Sequence, residues 1–84
     1  MTGTPPTSSK PNQELIRIGS TIKVIREARG LSQEQLATRA LLSRPYLANI
    51  ETGRKKPSMK AVARLAAALA VPQISIMACE EVAA

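Results

Sequence analysis

Two short segments, each opened by a serine, follow one another in the middle of the chain and strongly restrict how it can fold. Ser32 precedes QEQLATRA, and a glutamine three residues after the serine completes a capping box, which starts a helix. Ser43 precedes RPYLANIE, where Pro45 falls in the first turn and removes no helical hydrogen bond. We therefore predict two short helices, over residues 33–40 and 44–52, with a tight turn between them.

The rest of the chain predicts three further helices. Apolar residues recur at helical spacing after Asn12, a plausible N-cap, and predict a helix over 13–29. Ser58 caps a fourth helix, which continues to about residue 70, and a fifth runs from Gln73 to about Val82. Residues 1–11 are rich in Pro, Thr and Ser and predict a flexible tail, which leaves one domain over residues 12–84.

The composition supports an all-α fold in the cytoplasm. The chain has one Tyr, no Phe and no Trp, so its core is aliphatic, which favours helix packing over a β-sandwich. A single cysteine, Cys79, cannot form an internal disulfide, and no amino-terminal signal segment is apparent. No apolar run approaches the roughly 20 residues that span a bilayer, so we expect a soluble protein with no membrane partner.

The charge of the chain is concentrated in its middle. The net charge is +6, and residues 17–64 contain eleven of the twelve cations but only three of the six acids. Such a concentration indicates a polyanionic partner, more often nucleic acid than a membrane surface, although a solvated charged face has the same appearance. Arg54, Lys55 and Lys56 form the densest basic run and directly follow the third helix.

The residues needed for catalysis are scarce. The chain contains no His and no Asp, which excludes a Ser-His-Asp triad and most zinc or calcium sites. No glycine-rich phosphate loop is present. We therefore predict neither an enzyme nor a bound metal or cofactor.

The second and third helices have the spacing of a helix-turn-helix, whose second helix can enter the DNA major groove by its amino-terminal end. Arg44 can donate a pair of hydrogen bonds to guanine, and Asn49 can pair similarly with adenine. Tyr46 offers a ring or a hydroxyl on the predicted outer face, although a place at the edge of the core is the alternative. The basic run would contact the sugar-phosphate backbone.

The chain resembles the phage repressor and Cro-like helix-turn-helix family, also called the XRE family, across about residues 17–78. The pieces that carry the resemblance are REARGLSQEQLA, Ser43-Arg44, IETG, and Pro57-Ser58 before a helix that ends LAAALAVP. The resemblance implies a five-helix, lambda-repressor-like domain that usually binds double-stranded operator DNA as a homodimer. It implies base contacts at Arg44, Pro45, Tyr46 and Asn49, phosphate contacts at Gln33, Ser43, Arg54, Lys55 and Lys56, and a structural ion pair between Arg26 and Glu51.

Two positions depart from the family pattern. Leu41 stands where the turn usually has a glycine, so either the turn differs or Leu41 is strained. Pro45 replaces a residue that often contacts a base in relatives, which would leave fewer side chains for direct recognition.

The fifth helix is more apolar than a terminal helix requires. We expect Ile74, Ile76 and Met77 to form a two-fold dimer contact, with packing into the chain's own core as the alternative.

The function expected from the sequence as a whole is transcriptional regulation, most simply as a repressor. The alternative is an antitoxin-like or coactivator-like module of the same fold whose main partner is a protein. RNA binding is disfavoured by the near absence of stacking aromatic residues.

Overall fold

The structure is a computed structural model, and it describes residues 5–77, with side chains from Gln13 onward. This part of the chain contains five α-helices and no strand, which confirms the predicted all-α class. No helix in it is long and apolar enough to cross a membrane. The helices are α1 (Pro5–Ala28), α2 (Gln33–Ala40), α3 (Arg44–Glu51), α4 (Met59–Leu69) and α5 (Gln73–Met77).

The first helix starts earlier than the sequence predicts. Helix α1 begins at Pro5, before the predicted N-cap Asn12 and within the predicted tail. Pro5 and Pro6 stand in the first turn, where backbone N–H groups have no helical acceptor, so prolines there are compatible with a helix. Residues 1–4, the rest of the predicted tail, lie outside the described residues. So do residues 78–84, which include Cys79 and the predicted end of α5.

Serine caps start the three central helices, as predicted. Each serine hydroxyl oxygen accepts a hydrogen bond from the backbone N–H three residues later, which satisfies a donor that has no partner within the helix. The Gln35 side chain also accepts from the backbone N–H of Ser32 at 2.8 Å, which completes the capping box. The three serine contacts are Ser32 with Gln35 at 3.0 Å, Ser43 with Tyr46 at 3.2 Å, and Ser58 with Ala61 at 3.0 Å.

The turn between α2 and α3 keeps its left-handed geometry although it has no glycine. Leu41 has φ 60 and ψ 40, and its backbone N–H donates to the carbonyls of Ala37 and Thr38. The strain expected for a leucine in this region therefore falls on Leu41, whose side chain is 73% exposed. Ala70 ends α4 in the same conformation, with φ 61.

The core is aliphatic and draws on all five helices. Helix α4 packs on α2, and α1 packs on α3, while α5 contacts both α4 and α1. Buried leucines, isoleucines and alanines fill the space between them. The largest fully buried side chains are Ile22, Leu36, Leu47, Ile50, Val62, Leu65, Leu69 and Ile76.

The short α5 helix closes this core, which corrects part of the dimer prediction. Ile76 is fully buried within the chain, and Met77 is half-buried against the same cluster. Ile74 alone of the three predicted dimer residues is exposed, by 55%. The sequence pattern could not distinguish burial in the chain's own core from burial against a second copy, because both require apolar side chains at helical spacing.

Gly19 brings α1 into direct contact with the end of α3. A Cβ atom placed on Gly19 would lie 2.6 Å from the carbonyl oxygen of Glu51 and closer still to that of Ile50. The absence of a side chain at this position therefore sets how near α1 and α3 can approach.

The Gly19→Ala substitution tests this contact, because a tight contact and a free helix surface predict changes of opposite sign in the free energy of unfolding. On a free helix surface, alanine would stabilise the protein by about 1 kcal/mol relative to glycine. Here the added methyl group must displace α3, so we expect the free energy of unfolding in urea to fall by about 1–3 kcal/mol. Ser20→Ala, at the exposed neighbouring position, should change it by less than about 0.5 kcal/mol. A stabilised Gly19→Ala variant would contradict the contact.

Candidate nucleic-acid interface

Helix α3 presents its first two residues and Asn49 to solvent. Leu47 and Ile50 are fully buried and hold the helix on the core. Arg44, Pro45 and Asn49 are exposed, as the sequence predicts. The helix therefore offers a cation and an amide, the side chains suited to base edges, on its outer face.

The basic loop is fastened to the end of α3. The backbone N–H groups of Arg54 and Lys55 both donate to the carbonyl oxygen of Asn49, at 2.9 and 3.2 Å. Arg54, Lys55 and Lys56 are exposed, so their charges face solvent beside the helix. The structure thus brings the predicted phosphate contacts next to Asn49, a predicted base contact.

Two further residues fix the course of this loop. Gly53 has φ 82, and a Cβ atom there would lie 2.6 Å from Cγ1 of Ile16 on α1. Pro57, at the other end of the basic run, is buried. The cationic side chains therefore project from a backbone that is held at both ends.

Tyr46 lies at the edge of the core, which is the alternative to the outward position predicted for it. Its ring is half-buried against the hydrophobic cluster. Its hydroxyl oxygen accepts a hydrogen bond from the backbone N–H of Ser58 at 3.2 Å, across the basic loop. The sequence offered no signal for this bond, since Tyr46 and Ser58 are twelve residues apart and the loop between them has no fixed pattern.

Arg26 and Glu51 form the predicted ion pair, and it is buried. Nε and Nη2 of Arg26 donate to the two carboxylate oxygens of Glu51 at 2.7 and 3.2 Å. Nη1 of Arg26 donates to the carbonyl of Leu31 at 2.8 Å. The side chains are 10% and 1% exposed, so the pair joins α1 to the end of α3 in a region largely shielded from water.

The hydrogen bonds to Glu51 raise the pKa of the Arg26 guanidinium above its ordinary value, and this effect exceeds the lowering caused by burial. A raised pKa in the folded state contributes stability at every pH below the ordinary arginine value, and that contribution is lost only above it. The titration of Arg26 therefore causes no change in stability around neutral pH.

Gln33 belongs to the same network. It is half-buried at the start of α2, and its Nε2 donates to Oε1 of Glu51 at 2.9 Å. The sequence predicts only a phosphate contact for Gln33 and gives no indication of this bridge. Glu51 thereby connects α1, α2 and α3 through one carboxylate.

The described residues 5–77 contain no group of three or more acidic, cysteine or histidine side chains placed to hold a metal ion. Between Ser43 and Ser58, the exposed polar side chains are cations, an amide and hydroxyls. Their arrangement suits an anionic polymer, because all of them can donate hydrogen bonds to phosphate oxygens.

Comparison with known proteins agrees with this geometry. A sequence model for the helix-turn-helix domain matches residues 17–75, which include all of α2, α3 and α4. The chain belongs to the helix-turn-helix domain family. The resemblance to phage repressors is also confirmed, because the chain is 47% identical over 64 residues to the immunity repressor protein of Bacillus phage phi105. That match covers 76% of this chain but only 44% of the phage repressor.

Other family members match over more of their own length. An uncharacterized helix-turn-helix transcriptional regulator, y4dJ of Sinorhizobium fredii, is 33% identical over 60 residues, covering 71% of this chain and 78% of y4dJ. Among solved structures, the restriction-modification controller protein C.AhdI from Aeromonas hydrophila matches with a TM-score of 0.76 and 32% identity. That match covers 77% of this chain and 98% of C.AhdI. The clp gene regulator ClgR of Corynebacterium glutamicum gives a TM-score of 0.72 at 25% identity, covering 75% and 67%.

Glu51→Ala tests the energetic role of the buried pair. It leaves the Arg26 guanidinium buried without its carboxylate, so we expect the free energy of unfolding to fall by about 3–5 kcal/mol. The control is Glu14→Ala, which removes an exposed ion pair with Arg17 at 3.3 Å and should cost less than about 1 kcal/mol. Equal losses in the two variants, measured by urea denaturation, would show that the buried pair does not hold the fold together.

Proposed function

We propose that this chain is a sequence-specific, double-stranded DNA-binding transcriptional regulator, and that it acts as a repressor by occupying a palindromic operator as a homodimer. The observation that carries the proposal is the exposed face of α3, which bears Arg44 and Asn49, with the basic loop fastened to the end of the same helix through the Asn49 carbonyl. A base-contacting helix and a phosphate-contacting loop are both needed, because phosphates give affinity and base edges give sequence preference.

The base contacts come from the outer face of α3. Arg44 donates two hydrogen bonds to a guanine, and Asn49 pairs with an adenine. Pro45 has no side-chain donor, so its contribution is limited to apolar contact, such as with a thymine methyl group. Direct recognition in each half-site therefore depends on two polar side chains.

The phosphate contacts surround that face. Arg54, Lys55 and Lys56 supply charge from the loop. The Ser43 oxygen accepts from the Tyr46 backbone, which leaves its hydroxyl hydrogen to donate to a phosphate. Gln33 uses one donor on Glu51 and has a second amide hydrogen for a phosphate at the start of α2.

Regulation through DNA binding requires neither His nor Asp, both of which are absent from the sequence, and we assign the protein no catalytic activity. The relatives support this assignment, since the phi105 protein is an immunity repressor and y4dJ is a helix-turn-helix transcriptional regulator. A cytoplasmic location follows from the proposed DNA target.

The proposed roles, base contacts from α3 and phosphate contacts from the loop, are testable with DNA obtained by selection from random duplexes. Arg44→Ala should lose about 1–3 kcal/mol on the selected site and relax its preference at one base pair. Lys55→Ala should weaken binding to all duplexes alike and reduce the slope of log affinity against log salt by about one. Lys23→Ala, an exposed cation on α1, serves as the charge-matched control and should change neither quantity appreciably.

Identical behaviour of Arg44→Ala and Lys55→Ala would contradict the assigned roles. Weak, unselective binding by the unsubstituted protein would contradict the proposed function itself and favour a module whose main partner is a protein. These outcomes are separated by measuring affinity for the selected and a random duplex at several salt concentrations.

In the proposed homodimer, the contact between the two copies is made by Ile74, a residue in the described part of α5 that is 55% exposed. A two-fold contact there would place the two α3 helices of the dimer about 34 Å apart, which is the spacing of successive major grooves on one face of the duplex. We expect sedimentation at micromolar concentration to give twice the chain mass of 9.0 kDa, and Ile74→Glu to give a single chain. Val24→Glu, at a similarly exposed apolar residue on α1, should leave the dimer intact. Sedimentation of the unsubstituted protein only as a 9.0 kDa species would contradict the dimer.

A further inference from the structure

We propose that Tyr46 is a positioning residue that holds the basic loop in place for phosphate contact, and that it does not contact a base. The inference rests on the proposed DNA-binding function, since it assigns a role within that surface. It departs from the position that the sequence predicts for Tyr46, on the outer face of α3.

The Tyr46 side chain is held both through its ring and through its hydroxyl. The ring packs against the hydrophobic cluster, and the hydroxyl accepts from the backbone N–H of Ser58 at 3.2 Å. Ser58 caps α4 through its own hydroxyl, so its backbone is fixed at the start of that helix. A ring held at the core edge by this bond is not free to turn outward to a base without giving up both contacts.

The basic loop is tied to α3 at both of its ends. Its beginning is held by the Asn49 carbonyl, which accepts from the backbone of Arg54 and Lys55. Its far end is held by the Tyr46 hydroxyl at Ser58. Because residues three apart in a helix are neighbours, the two tethers arise from adjacent turns of one rigid element.

Tyr46 also borders the surface that carries the cations. A groove of about 520 Å³ lies between the loop, α3 and the end of α5. Tyr46, Lys55, Lys56 and Ser58 line it together. Movement of the Tyr46 ring would therefore change the shape of a groove that both lysines also line.

These tethers preorganise the backbone of the basic loop for DNA binding. Lysine side chains lose considerable freedom when they engage phosphates, and a backbone that is already fixed reduces the further loss on binding. With both ends of the loop attached to α3, the distance between the phosphate contacts and the base contacts at Arg44 and Asn49 stays constant. Tyr46 would thus contribute affinity for every duplex, with no preference for sequence.

Tyr46→Phe removes only the hydroxyl and tests the proposal. We expect affinity for the selected site and for a random duplex to fall by the same factor, about 2- to 10-fold, so that their ratio is unchanged. In a Lys55→Ala, Lys56→Ala background the same substitution should have little effect, because the cations it positions are gone. Thr21→Val is the control, since it removes another partly buried hydroxyl, which donates to the Arg17 carbonyl at 2.9 Å, away from the loop.

A measurement without DNA separates this proposal from the function on which it rests. In the free protein, hydrogen exchange of the Ser58 amide should accelerate by about tenfold in Tyr46→Phe and remain unchanged in Thr21→Val. Unselective binding by the unsubstituted protein would reject the proposed function, whereas unchanged exchange at Ser58 would reject the tether.

Three results from the DNA titrations would overturn the role of Tyr46. A fall in the ratio of selected to random affinity would show that Tyr46 contacts a base. Effects of Tyr46→Phe that add fully to those of the lysine substitutions would show that the hydroxyl contacts the phosphate itself. Unchanged affinity in a folded Tyr46→Phe variant would show that the tether is irrelevant to binding.

Discussion

The ion pair between Arg26 and Glu51 determines how the rest of the binding surface is arranged. Burying two charges is unfavourable unless each finds its partner with good geometry, and here the carboxylate accepts two bonds from Arg26 and a third from Gln33. These bonds come from α1 and α2, while Glu51 ends α3. Their directional requirement adds to the non-directional burial of leucines and isoleucines. Together with the close passage of α1 at Gly19, these bonds hold the end of α3 against α1 and α2.

The two faces of α3 have different roles, one in packing and the other in the proposed DNA contact. Leu47, Ile50 and Glu51 face inward, and Arg44 and Asn49 remain in solvent. The helix also organises its surroundings, because the Asn49 carbonyl holds the beginning of the basic loop. The concentration of charge seen in the sequence thereby becomes a defined arrangement of cations around a helix end. We regard that arrangement as the source of the proposed DNA binding.

Local signals in the sequence predicted most of the fold. The caps at Ser32, Ser43 and Ser58 involve residues three apart, so a single chain segment contains the whole interaction. Contacts between segments that are far apart in the sequence were harder to predict. The pairing of Arg26 with Glu51 was predicted only through family resemblance, and the bonds of Gln33 to Glu51 and of Tyr46 to Ser58 were not predicted. An apolar side chain such as Ile76 indicates burial but not the surface that buries it.

The central claim is that the start of α3 and the basic loop form one surface for duplex DNA. The most direct measurement is an NMR titration of the labelled protein with a selected duplex. The account predicts shifts at the Arg44 backbone amide, the Asn49 side-chain amide and the amides of residues 54–56, with little change at Ser20 and Val24 on the outer face of α1. Shifts confined to α1, with Arg44 and Asn49 unaffected, would contradict the account.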